Sequence, residues 1–92
     1  MKINNLGLAY AAKKIILGTD ECIKAMQQGK LYLVLLAKDA SQNTVKKISD
    51  KTKTYEVPLN MEFSTVELSH AIGKLNVKVI GILDRGFSLL LK

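Results

Sequence analysis

Strands alternating with helices along 92 residues predict an α/β fold, a three-layer α/β/α sandwich with helices on both faces of a mixed four-stranded sheet. Two observations carry that prediction. Leu31-Tyr32-Leu33-Val34-Leu35-Leu36 is almost uniformly apolar, as a central strand covered on both faces requires. Helix-starting residues then recur between short β-rich runs, with no linker, repeat or low-complexity tract, so residues 1–92 are expected to form one domain. Apolar residues make up 48% of the chain, enough for a packed core. Aromatic residues are only 5%, so that core must rest on Leu, Ile and Val.

The elements follow in order. Ile3 to Ala12 places Leu6, Ala9 and Tyr10 at helical spacing before Lys13-Lys14. Ile15-Ile16-Leu17 is a short strand ended by Gly18. Thr19 is expected to cap a second helix, with Asp20 and Glu21 in its first turn, Cys22, Ile23 and Met26 on its apolar face and Gly29 at its end. After the central strand, Asp39-Ala40-Ser41 leads into a third helix with an inner stripe of Val45, Ile48 and Thr52. Lys46, Lys47, Lys51 and Lys53 fall on or beyond its wet side. Thr54 to Val57 reads as a strand closed by Pro58, which cannot donate to a ladder. Ser64 or Thr65 opens a fourth helix, with Glu67 placed for a capping box from Ser64, and Leu68, Ala71, Ile72 and Leu75 on one side. Val77 to Leu83 is the last strand, and Asp84-Arg85-Gly86 turns the chain into a short helical tail.

Charge narrows the function. Fourteen Lys and Arg against eight Asp and Glu give a net charge of +6, an attractive field for phosphate backbones. Arg85 is the only arginine, so thirteen of those cations are Lys. Catalysis and metal binding find no support. Cys22 is the only cysteine and His70 the only histidine, so neither a disulfide nor a zinc constellation can be assembled. Cys22 reads as a buried, inert thiol, and the serines lack a nucleophile-elbow sequence. The glycines form no phosphate-gripping pattern, so no cofactor is implied. The opening residues lack a signal-peptide pattern, and the apolar stretch at Leu31–Ala37 is too short for a bilayer, which points to the cytoplasm.

Three stretches read together resemble a known family. They are Gly18-Thr19-Asp20-Glu21-Cys22-Ile23-Lys24, Lys30 to Ser41, and Glu67-Leu68-Ser69-His70-Ala71-Ile72-Gly73-Lys74. In order and spacing they are similar to the kink-turn-binding ribosomal proteins named for the archaeal large-subunit protein L-seven-Ae, and closest to that family's short bacterial YlxQ-type members. The likeness extends to Asp84-Arg85-Gly86-Phe87. It implies the three-layer fold and binding to kink-turn RNA, a sharply bent duplex built on sheared G·A pairs.

The family's RNA-reading motif is Gly, any residue, Asn, Glu, two more residues and a Lys or similar group. It falls on Gly18, Glu21 and Lys24, with Asp20 where Asn is usual. The chemistry suits those positions. Gly18 lets a backbone approach without a Cβ in the way. The N–H groups from Thr19 onward can receive phosphate. Glu21 can accept from a guanine edge and Lys24 can donate to a guanine oxygen or phosphate. Asp20 only accepts hydrogen bonds, where an Asn amide also donates, and a lost bidentate contact costs about 1–3 kcal/mol.

The family's second contact surface, an apolar loop before the last strand, maps to Lys74-Leu75-Asn76-Val77-Lys78. Val77 is assigned to apolar contact, Lys74 and Lys78 to phosphate, and Leu75 either to the loop or to the core. Lys13, Lys14 and Lys24 are expected to share a basic patch near Gly18. Lys46, Lys47, Lys51 and Lys53 are expected to form a wet face unrelated to it.

Two function classes follow. The first is a monomeric, ribosomal-protein-like binder of structured RNA, whose ligand is ribosomal RNA, a ribonuclease P type RNA or a riboswitch. The second is a ribosome-associated protein-interaction module that keeps the fold and has lost kink-turn recognition, as Asp20 permits. A membrane-surface role ranks last, because Val45 and Ile48 make too small an apolar face opposite the lysines of the third helix.

Overall fold

The period-two alternation inside the central apolar run decides the architecture. In the computed structural model, which describes residues 3–91, β2 (Leu33–Leu36) is buried along its whole length. Leu33 and Leu35 point to one face, Val34 and Leu36 to the other, so both faces need a cover of helices. The sheet has the order β1-β4-β2-β3, where β1 is Ile15–Leu17, β3 is Leu59–Asn60 and β4 is Val79–Ile82. β4 runs antiparallel to β1 and β2, and β3 runs parallel to β2, so the sheet is mixed as expected.

One layer is built by α1 (Asn4–Ala11), α4 (Thr65–Ile72) and α5 (Arg85–Leu90). Leu6, Leu68, Ile72 and Leu91 close over Leu33, Leu35, Ile80 and Ile82 on that side. The other layer is α2 (Thr19–Gln27) and α3 (Gln42–Thr54), which bring Cys22, Ile23, Met26 and Ile48 onto Val34, Leu36 and Val79. Gly81 sits in the middle of β4 on this second face. A Cβ there would stand 2.9 Å from both Ile16 Cγ2 and Leu31 Cδ2, so the absence of a side chain lets those two residues fill the layer.

Most elements fall where the sequence places them, and two do not. The strand expected at Thr54 to Val57 is absent. α3 continues through Thr54, whose hydroxyl donates to the carbonyl of Asp50, and the chain turns at Glu56 with φ +56° before β3 begins beyond Pro58. Helix propagation from an amphipathic segment anchored by Ile48 and Thr52 outweighs the β preference of a few residues at its end. Pro58 lends only its carbonyl, which accepts from Val34 N–H at 2.9 Å.

The second difference is the start of α2. Gly18, not Thr19, occupies the cap position, with φ +101° and ψ +153°. Its N–H donates to Val79 O at 3.1 Å and its carbonyl accepts from Cys22 N–H at 3.0 Å. The strand therefore passes into the helix through one residue, and Thr19 becomes the first helical position.

Candidate functional site

Three segments meet at one end of the sheet, where β1 finishes, α2 starts and the loop after α4 leads into β4. Leu17, Gly18 and Thr19 form one wall of an open cavity of about 370 Å³. Lys74, Leu75, Asn76, Val77, Lys78 and Val79 form the other. Two of the stretches singled out in the sequence, more than fifty residues apart, are thus brought together.

The α2 side of this cavity is a helix start whose N–H groups are not capped by any described side chain. By contrast, Ser41 caps α3, Ser64 caps α4 and Asp84 caps α5. Uncapped N–H groups with the positive end of a helix dipole behind them favour an anion.

The other side is held by a serine that the sequence reading did not select. α4 opens with the expected Ser64–Glu67 capping box and ends at Gly73 in a left-handed conformation. From inside it the buried Ser69 donates to Thr65 O at 2.6 Å and accepts from Val77 N–H at 2.8 Å, fastening the loop to the helix. Asn76, at φ +56°, adds a second left-handed residue.

Together these turns break the helical periodicity, which overturns the expectation for Val77 and decides the open one for Leu75. Val77 packs into the core at 7% exposure and reaches the cavity only as part of its lining. Leu75, assigned from sequence either to the loop or to the core, belongs to the loop and stands 88% exposed. Leu75 also borders a larger apolar hollow of about 560 Å³ with Val66, Ser69 and His70.

Polar support reaches the cavity from below. Lys78 Nζ donates to Thr65 Oγ1 at 3.3 Å, and the Thr65 hydroxyl and N–H both donate to Asp39 Oδ1, at 2.9 and 2.7 Å. The two Thr65 hydrogen bonds, backbone first, hold the Asp39 carboxyl below its usual range, with Lys78 adding a favourable charge. Lys74 Nζ lies over the Tyr10 ring of α1, 5.6 Å from its centroid.

The first turn of α2 points its two carboxylates in different directions. Glu21 and Lys24 line a second groove of about 310 Å³ with Ile16, Gln28, Lys30 and Leu83. Asp20 faces α3, where Lys47 Nζ meets its Oδ1 at 3.2 Å. Of the α3 lysines expected to be unrelated to this end of the molecule, Lys47 thus touches the first turn of α2.

Lys13 and Lys14 are not gathered around Gly18. They precede β1 and Gly18 follows it, roughly 13 Å away at a strand rise of about 3.3 Å per residue. The Lys14 carbonyl accepts from Leu83 N–H at 2.7 Å, which ties the start of β1 to the residue that follows β4.

Cys22 lies fully buried behind this surface, its thiol facing Ile16 O at 3.8 Å. Burial, helped by the charge of Glu21, pushes its pKa up to about 12. The native protein should therefore resist maleimide at pH 8 and react once unfolded in denaturant. Rapid native labelling would show that α2 opens away from the sheet. Among the described residues no group of His, Cys, Asp and Glu could hold a metal, and no helix is long and apolar enough to cross a membrane.

Comparison with known proteins converges on one family. A model described as the ribosomal protein L7Ae/L30e/S12e/Gadd45 family matches residues 2–92. The chain is 44% identical over 86 residues to the RNA-binding protein YlxQ of Enterococcus faecium, covering 94% of this chain and 82% of that one. It is 42% identical over 83 residues to the protein of the same name from Bacillus subtilis (strain 168), covering 90% and 83%. Among solved structures, a Bacillus halodurans protein of unknown function superposes with a TM-score of 0.93 at 39% identity, over 97% of this chain and 90% of that one. A Giardia lamblia 15.5kD RNA binding protein superposes with a TM-score of 0.84 over 97% and 77%. At 22% identity it shows the shared fold alone.

Proposed function

Since the chain belongs to the ribosomal protein L7Ae/L30e/S12e/Gadd45 family, we propose that it is a cytoplasmic RNA-binding protein that recognises a kink-turn or a similarly bent, structured RNA. The observation that carries this reading is the cavity shared by Gly18, Thr19 and the 74–78 loop, which joins an uncapped helix N-terminus to two lysines and an exposed leucine. Each part suits one feature of a bent RNA. The N–H groups of α2, with Lys74 and Lys78, hold phosphates, while Leu75 covers a base turned out of the stack. Glu21 accepts from a guanine edge at the G·A step and Lys24 donates beside it. The non-enzymatic reading rests on the relatives, whose names describe RNA-binding proteins. Residues 1–92 act in this reading as a single domain, as a monomer, on ribosomal or another kink-turn RNA.

The test is a titration of an intact kink-turn and of a variant with its G·A pairs replaced. The natural protein is expected to prefer the intact RNA. Glu21→Ala should weaken that RNA by about tenfold, equivalent to about 1.4 kcal/mol, and the replaced RNA much less. Equal losses on both RNAs would remove Glu21 from the reading role.

One observation favours a second reading, a protein-interaction module. Leu75 and Val66 stand 88% and 75% exposed around the apolar hollow beside the loop. Salt separates the two: binding through several lysines falls steeply as salt is added, whereas an apolar protein contact does not.

A further inference from the structure

We infer that Asp20 and Lys47 act as one RNA-reading unit, in which Lys47 brings α3 into the interface and makes Asp20 tolerable there. The inference rests on the RNA reading above and adds to it a residue from outside the motif. Asp20 lies one residue from the Gly18–Thr19 wall of the cavity, and its carboxylate is 86% exposed. Left alone, that charge would repel any phosphate drawn to the start of α2. It is not alone. Lys47, 27 residues away in sequence, meets it at 3.2 Å while remaining 53% exposed.

The packing makes this meeting a consequence of the fold. Ile48, the neighbour of Lys47, is fully buried beneath α2 with Cys22 and Ile23, so the two helices are fixed against each other. The dipole of α2 meanwhile favours the carboxylate in its first turn.

The chemistry of the pair differs from that of either residue alone. An ionised Asp only accepts and an ammonium only donates, with three N–H groups. With one N–H engaged by Oδ1, Lys47 keeps two donors and Asp20 keeps Oδ2. The pair is close to neutral and presents a donor beside an acceptor, the combination needed to read a base edge or to bridge a base and a phosphate. An exposed ion pair of this kind contributes little to stability, so its loss should show in binding and leave melting nearly unchanged.

A four-member cycle tests the coupling: the natural protein, Lys47→Met, Asp20→Asn and the double variant, with Lys46→Met as the control for a general lysine. Each is titrated against the intact kink-turn at one fixed salt concentration, and its melting temperature is recorded. Lys47→Met should weaken binding about tenfold, because a cation is lost and the Asp20 carboxylate is left unpaired together. In the Asp20→Asn background the same change should cost about threefold or less, matching Lys46→Met. Equal losses in both backgrounds, or a Lys47→Met loss no larger than that of Lys46→Met, would overturn the inference while leaving the RNA reading in place. Failure of the natural protein to bind any structured RNA overturns the RNA reading, and the inference with it.

Discussion

Replacing Gly18 by Ala is expected to cost about 1–3 kcal/mol of stability and to weaken RNA binding by about tenfold or more. The backbone there, at φ +101° and ψ +153°, occupies a region that residues with a Cβ essentially never adopt. Among the described residues, nothing beyond its two chain neighbours lies within 4 Å of the added Cβ, so the loss comes from backbone strain and not from a clash. The open space matters for a second reason: it is where a ligand would lie. Relaxing the strain would also pull on the Val79 and Cys22 hydrogen bonds that aim the start of α2. Gly29→Ala separates strain from site, because Gly29 also has a positive φ, +69°, but follows the far end of α2. It should lower the melting temperature with little effect on affinity. The shift expected in a domain of this size is about 4–8 °C for each kcal/mol. Affinity is compared at a temperature where every variant is folded, and an unchanged affinity for Gly18→Ala would separate the α2 start from the binding surface.

Ser69→Ala carries an effect of similar size through a different route. The hydroxyl is buried and both its hydrogen bonds are internal, so its removal leaves Val77 N–H without an acceptor. An orphaned buried donor costs about 1–3 kcal/mol. Because Val77 anchors the loop that projects Leu75, the same change should loosen the apolar tip and weaken RNA binding. Preference for intact G·A pairs should be retained, because Glu21 lies on α2, outside the loop. Hydrogen exchange at the Val77 amide gives the direct readout: slow in the natural protein and fast in Ser69→Ala. Slow exchange in both would mean that the loop is held by the Val77 side chain and not by the serine.

Periodicity, caps and charge were legible in the chain itself, because each depends on residues close in sequence. The buried run of β2, the Ser64–Glu67 capping box and the apolar face of α2 all follow from local spacing. The mixed sheet followed from alternating elements, and the family from three ordered stretches. Where a local preference met a cooperative one, the sequence reading failed. Thr54 was absorbed into α3 and the chain turned at Glu56, so no strand formed before Pro58, and Thr19 lost the cap position to a glycine in a conformation open essentially to glycine alone.

Tertiary structure alone decided the composition of the surface. Two left-handed residues, Gly73 and Asn76, turn the loop so that Val77 is buried and Leu75 exposed, an inversion that hydropathy cannot express since both are apolar. Ser69 looked like any other serine until its hydroxyl was placed between Thr65 and Val77. Lys13 and Lys14 are near Gly18 in sequence but separated from it by an extended strand, whereas Lys47 is far in sequence but held near by helix packing. An extended strand carries neighbours apart and a packed core brings strangers together, so sequence proximity could locate the motif but not the side chains that complete it.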